Sequence, residues 1–144
     1  MYLLCGMFCK DMKKNSNIII KQAGLKATPQ RKIVYEIMTE QRHSPIEDIT
    51  EEVRKREPEI TLSTVYRILD SFCKVGLLSK FKHPNGKWYF DISPAEHYHI
   101  FMNDEVIDYI DPELTALVKE HLKGNMFENL EIEKISIQII TTKK

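Results

Sequence analysis

TLSTVYRILDSFCKVGLLSKFKHPNGKWYFDI, residues 61–92, changes its hydrophobic period half-way along. In its first half Val65, Ile68, Leu69 and Phe72 recur at the three-and-four spacing of one helix face. Thr61 or Ser63 offers the N-cap oxygen, and Gly76 supplies the stop. In its second half, residues 78–82 and 87–92 read as short strands on either side of His83-Pro84-Asn85-Gly86. Asn-Gly between such runs predicts a β-hairpin, because both residues tolerate positive φ. A helix that runs into a hairpin is the closing half of a winged helix-turn-helix, provided that further helices precede it.

Working upstream, they do. Ser44-Pro45 reads as a cap followed by proline at the first helical position, and Ile46, Ile49 and Val53 line one face of a helix ended by Glu57-Pro58. Thr28-Pro29 gives the same signal for a helix carrying Ile33, Val34, Ile37 and Met38, which runs out near Arg42 and leaves His43 in a short connection. Residues 17–23 predict one more short helix, stopped by Gly24.

Downstream, Ser93-Pro94-Ala95 is the expected hinge. Beyond it we read strands over 97–102 and 105–110. A helix over 112–123 follows, with Leu114, Leu117, Val118 and Leu122 on one face and Gly124 as its stop. A last strand over 131–142 has Ile132, Ile135, Ile137 and Ile139 alternating. The fold class is therefore α+β: a winged helix-turn-helix DNA-binding domain over 12–92, then a small α/β dimerisation domain over 96–144 with a three-stranded sheet and one helix. So few elements bury little apolar surface, and pairing with a second copy of the chain would supply the rest.

Charge divides the chain at the same place. The 144 residues carry no net charge, yet residues 12–92 hold 15 Lys and Arg against 10 Asp and Glu, and residues 93–144 hold 5 against 10. A basic first part suits a polyanionic partner. The three cysteines, Cys5, Cys9 and Cys73, are odd in number and lack a Cys-x-x-Cys pair, which argues against a disulfide framework or a thiolate zinc knot. Residues 1–11 form a short apolar start and read as an N-terminal extension or a mis-assigned start. No apolar run approaches membrane length, so no membrane partner and a cytoplasmic location are expected.

Two constellations carry chemistry. Ser63, Thr64, Tyr66 and Arg67 open the helix that would enter a DNA major groove, while Lys80, Lys82, His83 and Lys87 on the hairpin, and Lys26, Arg31 and Lys32 before and within an earlier helix, would meet phosphates. The plainer alternative is that Tyr66 is partly core and the cations merely solvate a surface. His97 and His99, two apart on a strand, point the same way, with Asp91 and Asp108 flanking them and His43 upstream. This nitrogen and oxygen set suits a divalent first-row metal such as iron, manganese or zinc. The same alternation also describes the polar face of an edge strand.

Leu25-Lys26-Ala27-Thr28-Pro29-Gln30-Arg31, then Ser63-Thr64-Val65-Tyr66-Arg67, then His97-Tyr98-His99 occur in this order. Together they resemble the ferric uptake regulator (Fur) family over nearly everything from residue 17 to 142. The resemblance implies a homodimeric, metal-dependent repressor that binds palindromic operators in double-stranded DNA. Within the family the chain is most similar to the peroxide-responsive (PerR-type) branch. There, three histidines and two aspartates hold Fe2+ or Mn2+, and Zn2+ can occupy the site on purification. The ligands implied here are His43, Asp91, His97, His99 and Asp108, the last being Asp where iron-sensing members usually carry Glu. Iron-catalysed oxidation of His43 and His97 to 2-oxo-histidine would then release the operator.

The chain departs from the family pattern at its cysteines. None follows Cys73, and the turn at 102–105 is two residues shorter, so no structural four-cysteine zinc is expected and apolar packing must hold the dimer. A second sensory site is also expected to be absent, with Glu96 and Tyr98 on the opposite strand face and His121 a surface histidine. Two other readings stay open. One is a repressor that responds to iron, manganese or zinc supply without oxidation chemistry. The other is a non-haem iron enzyme using two histidines and a carboxylate, disfavoured because five protein ligands leave too few open positions and no second domain forms a pocket.

Overall fold

In a computed structural model of the chain, residues 15–92, 96–103, 105–123, 129–132 and 134–143 are described. The expected extension at 1–11, the hinge at 93–95 and the Gly124 stop lie outside them. The chain divides into two compact units, Met1–Ser93 and Pro94–Lys144.

The first unit begins with α1 (Ser16–Gln22), which ends before Gly24 at φ +87°. α2 (Pro29–Gln41) follows, its first turn capped by Thr28, whose hydroxyl accepts from the Arg31 amide at 3.3 Å. The expected connection at His43 is instead a strand, β1 (His43–Pro45). Arg42 reverses the chain with φ 66°, and its carbonyl accepts from the Ile92 amide at 3.1 Å. A positive φ is unusual for a residue that is not glycine, so nothing in the composition announces this reversal.

α3 (Ile46–Arg54) then starts with Pro45 as its N-cap and no capping side chain, so Ser44 is a strand residue rather than the expected cap. α4 (Leu62–Lys74) is capped by Thr61, whose hydroxyl accepts from the Thr64 amide at 3.2 Å. The Thr61→Ala substitution is expected to cost about 1 kcal/mol of stability by removing that cap oxygen. A lowered urea midpoint with an unchanged slope is the corresponding measurement.

β2 (Ser79–Lys82) and β3 (Trp88–Asp91) form the hairpin, and the sheet order is β1-β3-β2 with both neighbours antiparallel to β3. The turn differs from the primed Asn-Gly type. The His83 carbonyl accepts from the Gly86 amide at 2.9 Å, and of the two turn residues only Gly86 has positive φ, +88°. This is the pattern of a three-residue loop with a glycine bulge, with Pro84 pre-set at the first turn position.

The core is continuous through this unit. Ile20 of α1, Val34, Tyr35, Ile37 and Met38 of α2, Ile49 and Val53 of α3, Val65, Ile68, Leu69 and Phe72 of α4, and Phe90 of β3 all pack together. Tyr35 meets Phe72 edge-on, with ring centroids 6.0 Å apart. The hairpin thus contributes to the core and is not an appendage.

The second unit holds β4 (Tyr98–Met102), β5 (Glu105–Tyr109), α5 (Pro112–Lys123) and β6 (Gln138–Thr141), in sheet order β5-β4-β6. β5 is antiparallel to β4 and β6 is parallel to it. The last strand is shorter than the expected 131–142, because its ladder with β4 begins only at Gln138 opposite His99. Asp111 caps α5, accepting from the Leu114 amide at 2.9 Å. The Tyr98 and Thr115 hydroxyls join β4 to this helix. No described residue of α5 is buried, and Leu117 of its expected apolar face is 66% exposed, as Ile140 of β6 is 65% exposed. This unit leaves apolar surface open, as expected of a half awaiting a partner.

Candidate metal centre

Within the second unit the centre is built by register. Two residues, 103 and 104, separate β4 from β5, and Asn103 has φ 56° as a tight hairpin turn requires. Pairing Met102 with Glu105 fixes every pair behind it, so His99 stands directly opposite Asp108. Strand alternation then brings His97, two residues back, to the same face. The His97 and His99 Nε2 atoms lie 3.1 Å apart with their rings nearly perpendicular. The Asp108 Oδ1 atom is 3.6 Å from the first nitrogen and 3.8 Å from the second. One ring N–H donates to the other nitrogen, or both lone pairs turn to a shared cation.

The donor set fits a metal. Nitrogen and oxygen ligands about 2.1 Å from one ion stand about 3 to 3.5 Å from each other, so these three atoms need shift by only a few tenths of an ångström. β4 is the central strand of its sheet, so the edge-strand alternative does not hold.

Within the first unit, β1 and β3 place His43 directly opposite Asp91. Asp91 is buried, and the His43 ring meets Phe81 edge-on with centroids 6.3 Å apart. Each unit therefore gathers its own share of the five expected ligands, two in the first and three in the second. Sequence reading had no strand at His43, so the pairing with Asp91 was missed.

The expected DNA-facing residues all belong to the first unit. Tyr66 is 47% exposed, not core, and Ser63 and Arg67 are exposed beside it on α4. The Thr64 and Ser63 hydroxyls bond Thr61 Oγ1, at 2.9 and 3.1 Å. Arg31 donates through Nη1 to the Lys26 carbonyl at 2.8 Å, which joins the turn before α2 to its first turn. Lys80, Lys82 and Lys87 are exposed on the hairpin. Two features escaped the sequence reading: a ring stack of Phe81 on Tyr89 and Tyr89 on His83, with centroids 5.6 and 4.7 Å apart, and Lys80 placed over the Trp88 indole. Alternation along β2 and β3 was the available signal for both.

Residues 22–140 match the family model described as the ferric uptake regulator family. The chain belongs to that family. It is accordingly a metal-responsive, DNA-binding transcription regulator of a dimeric kind, and not an enzyme. A ferric uptake regulation protein homolog from Archaeoglobus fulgidus is 31% identical over 109 residues, which is 74% of this chain and 84% of that protein. The structure of the ferric uptake regulator from Pseudomonas aeruginosa with manganese superposes with a TM-score of 0.74 at 27% identity, covering 89% of this chain and 97% of the other. The Campylobacter jejuni peroxide stress regulator gives a TM-score of 0.68 at 26% identity, covering 93% of this chain and 95% of the other. No helix among the described residues is long and apolar enough to cross a membrane.

Proposed function

We propose that this family member is a cytoplasmic, homodimeric repressor of palindromic operators, in which one Fe2+ or Mn2+ ion is held by His43, Asp91, His97, His99 and Asp108. The observation that carries this reading is the approach of His97, His99 and Asp108 to common ligand spacing. The His43–Asp91 pairing in the other unit supports it. Ligands drawn from two units tie occupancy to their relative posture, and binding free energy then favours the posture that presents both α4 helices of a dimer to DNA. Ser63, Thr64, Tyr66 and Arg67 would read base edges there, while Lys26, Arg31, Lys80, Lys82 and Lys87 would meet phosphates. Residues 94–144 contain no cysteine, so dimer contacts rest on apolar side chains such as Leu117 and Ile140 rather than on a thiolate zinc.

Peroxide is the proposed signal, supported by the all-nitrogen-and-oxygen ligand set with Asp at position 108 and by the likeness to the Campylobacter jejuni regulator. Bound ferrous iron would supply the chemistry that turns peroxide into an oxidant of adjacent imidazoles. An oxidised His43 or His97 is a poorer donor, so the five-residue set loses its hold and the DNA-competent posture its support. Iron-loaded protein treated with peroxide is expected to gain the mass of one oxygen atom on His43 or His97 and to lose duplex binding. Manganese-loaded protein is expected to gain no oxygen and to keep duplex binding. A supply-responsive repressor, the second reading favoured by the manganese-bound relative, would lose DNA binding on chelation and show no oxygen addition in either metal form.

A further inference from the structure

The chain has one tryptophan, Trp88, and it stands 51% exposed on the hairpin. A large aromatic side chain left half in water at an element that also carries lysines is a candidate contact surface. Register defines its surroundings. Trp88 lies directly opposite Lys82, and Phe90 lies opposite Lys80. Alternation puts Lys80, Lys82, Trp88 and Phe90 on one face of the hairpin. Phe90 is buried in the helical core, so the inner end of this face is covered, while Lys80, Lys82 and Trp88 continue it outward into solvent. Lys80 reaches diagonally across, and its Nζ sits 5.4 Å from the Trp88 ring centre. The indole thus holds an ammonium group in place at the open end of the face.

We propose that Trp88 is a DNA-contact residue, in which the indole packs against the sugar-phosphate backbone of duplex DNA while Lys80, pre-positioned by the ring, neutralises a phosphate. This rests on the DNA-binding reading above and adds a site to it. The argument is charge complementarity. An apolar ring flanked by two lysines, in the part of the chain with the basic surplus, fits a polyanion that also offers apolar sugar surface. A phosphate contact of this kind is independent of sequence, so a random-sequence duplex serves as the probe.

A fluorescein-labelled random 30-base-pair duplex would be titrated at several low salt concentrations with Mn2+ present, reading label anisotropy and Trp88 emission together. Because Trp88 is the only indole, its emission is expected to change in step with the anisotropy. The Trp88→Ala variant is expected to bind roughly tenfold more weakly with an unchanged salt slope, since an indole releases no counterion. The Lys80→Ala variant is expected to lower the slope by about one. The Trp88→Phe variant, dark but still aromatic, is expected to retain most of the affinity. Duplex binding with unaltered Trp88 emission and undiminished affinity in Trp88→Ala would overturn the assignment alone. No anisotropy change at any salt would overturn the DNA-binding reading and this assignment with it.

Discussion

The His99→Ala variant is expected to bind Mn2+ on the order of 100-fold more weakly than the parent chain, since even a residue that only supports a ligand is worth 10- to 100-fold. His99 is chosen because it lies on β4, the central strand of its sheet, within reach of both other side chains of the cluster. Its Nε2 is 3.1 Å from that of His97 and 3.8 Å from Asp108 Oδ1, and it lies in a ladder with neighbours on both sides. Losing it removes one imidazole and leaves a carboxylate facing a single ring. The Asp108→Asn variant separates charge from shape: it keeps the volume and one oxygen but removes the negative charge, and the same direction of effect is expected. Tyr98→Phe serves as the contrast, since Tyr98 is buried on the opposite strand face and its hydroxyl bonds Thr115. It should disturb the sheet without touching a donor atom.

Calorimetric titration with Mn2+ gives the first readout, and duplex anisotropy with and without metal gives the second. If occupancy controls posture, the gain in DNA affinity on adding metal, roughly 5- to 150-fold for a coupling of ordinary size, should vanish in both ligand variants. Wild-type Mn2+ affinity in both would mean that the three side chains form only a buried polar cluster.

How much of this was legible beforehand depends on what kind of signal each element carries. The helices were, because Val65, Ile68, Leu69 and Phe72 repeat a period and all four are buried. The His99–Asp108 pairing was within reach too, since strands at 97–102 and 105–110 leave a two-residue turn that fixes the register. β1 was not. Three residues are too few to show alternation, and the reversal before them rests on Arg42 at positive φ, where a glycine would have marked it. That omission hid the place of His43 opposite Asp91. The Asn85-Gly86 hairpin was correctly located, although Pro84 sets the preceding position and only Gly86 is left-handed. α5 shows the converse limit. Its apolar period is plain, yet Leu117 is exposed, because periodicity says which face is apolar and not what covers it.

The Phe72→Ala variant should show how far the first unit depends on a single packed centre. Phe72 is fully buried on α4 and meets Tyr35 of α2 edge-on, so its ring joins two helices of the same core. Deleting it leaves a cavity in that core, and a cost of about 3–5 kcal/mol is expected. Domains of this size hold only about 5–15 kcal/mol in total, so this is a large share of the whole. A fall in Tm of the order of 20 °C, followed by far-ultraviolet circular dichroism, is the corresponding thermal result. Phe72→Leu should cost less than about 1.5 kcal/mol, as most of the volume remains. Duplex binding should follow folding, with Phe72→Leu close to the parent chain and Phe72→Ala losing affinity on warming well before it does. A small loss of stability in Phe72→Ala would mean that the helices bear on one another elsewhere. The register that brings β3 onto them, and with it Asp91 opposite His43, would then need a different anchor.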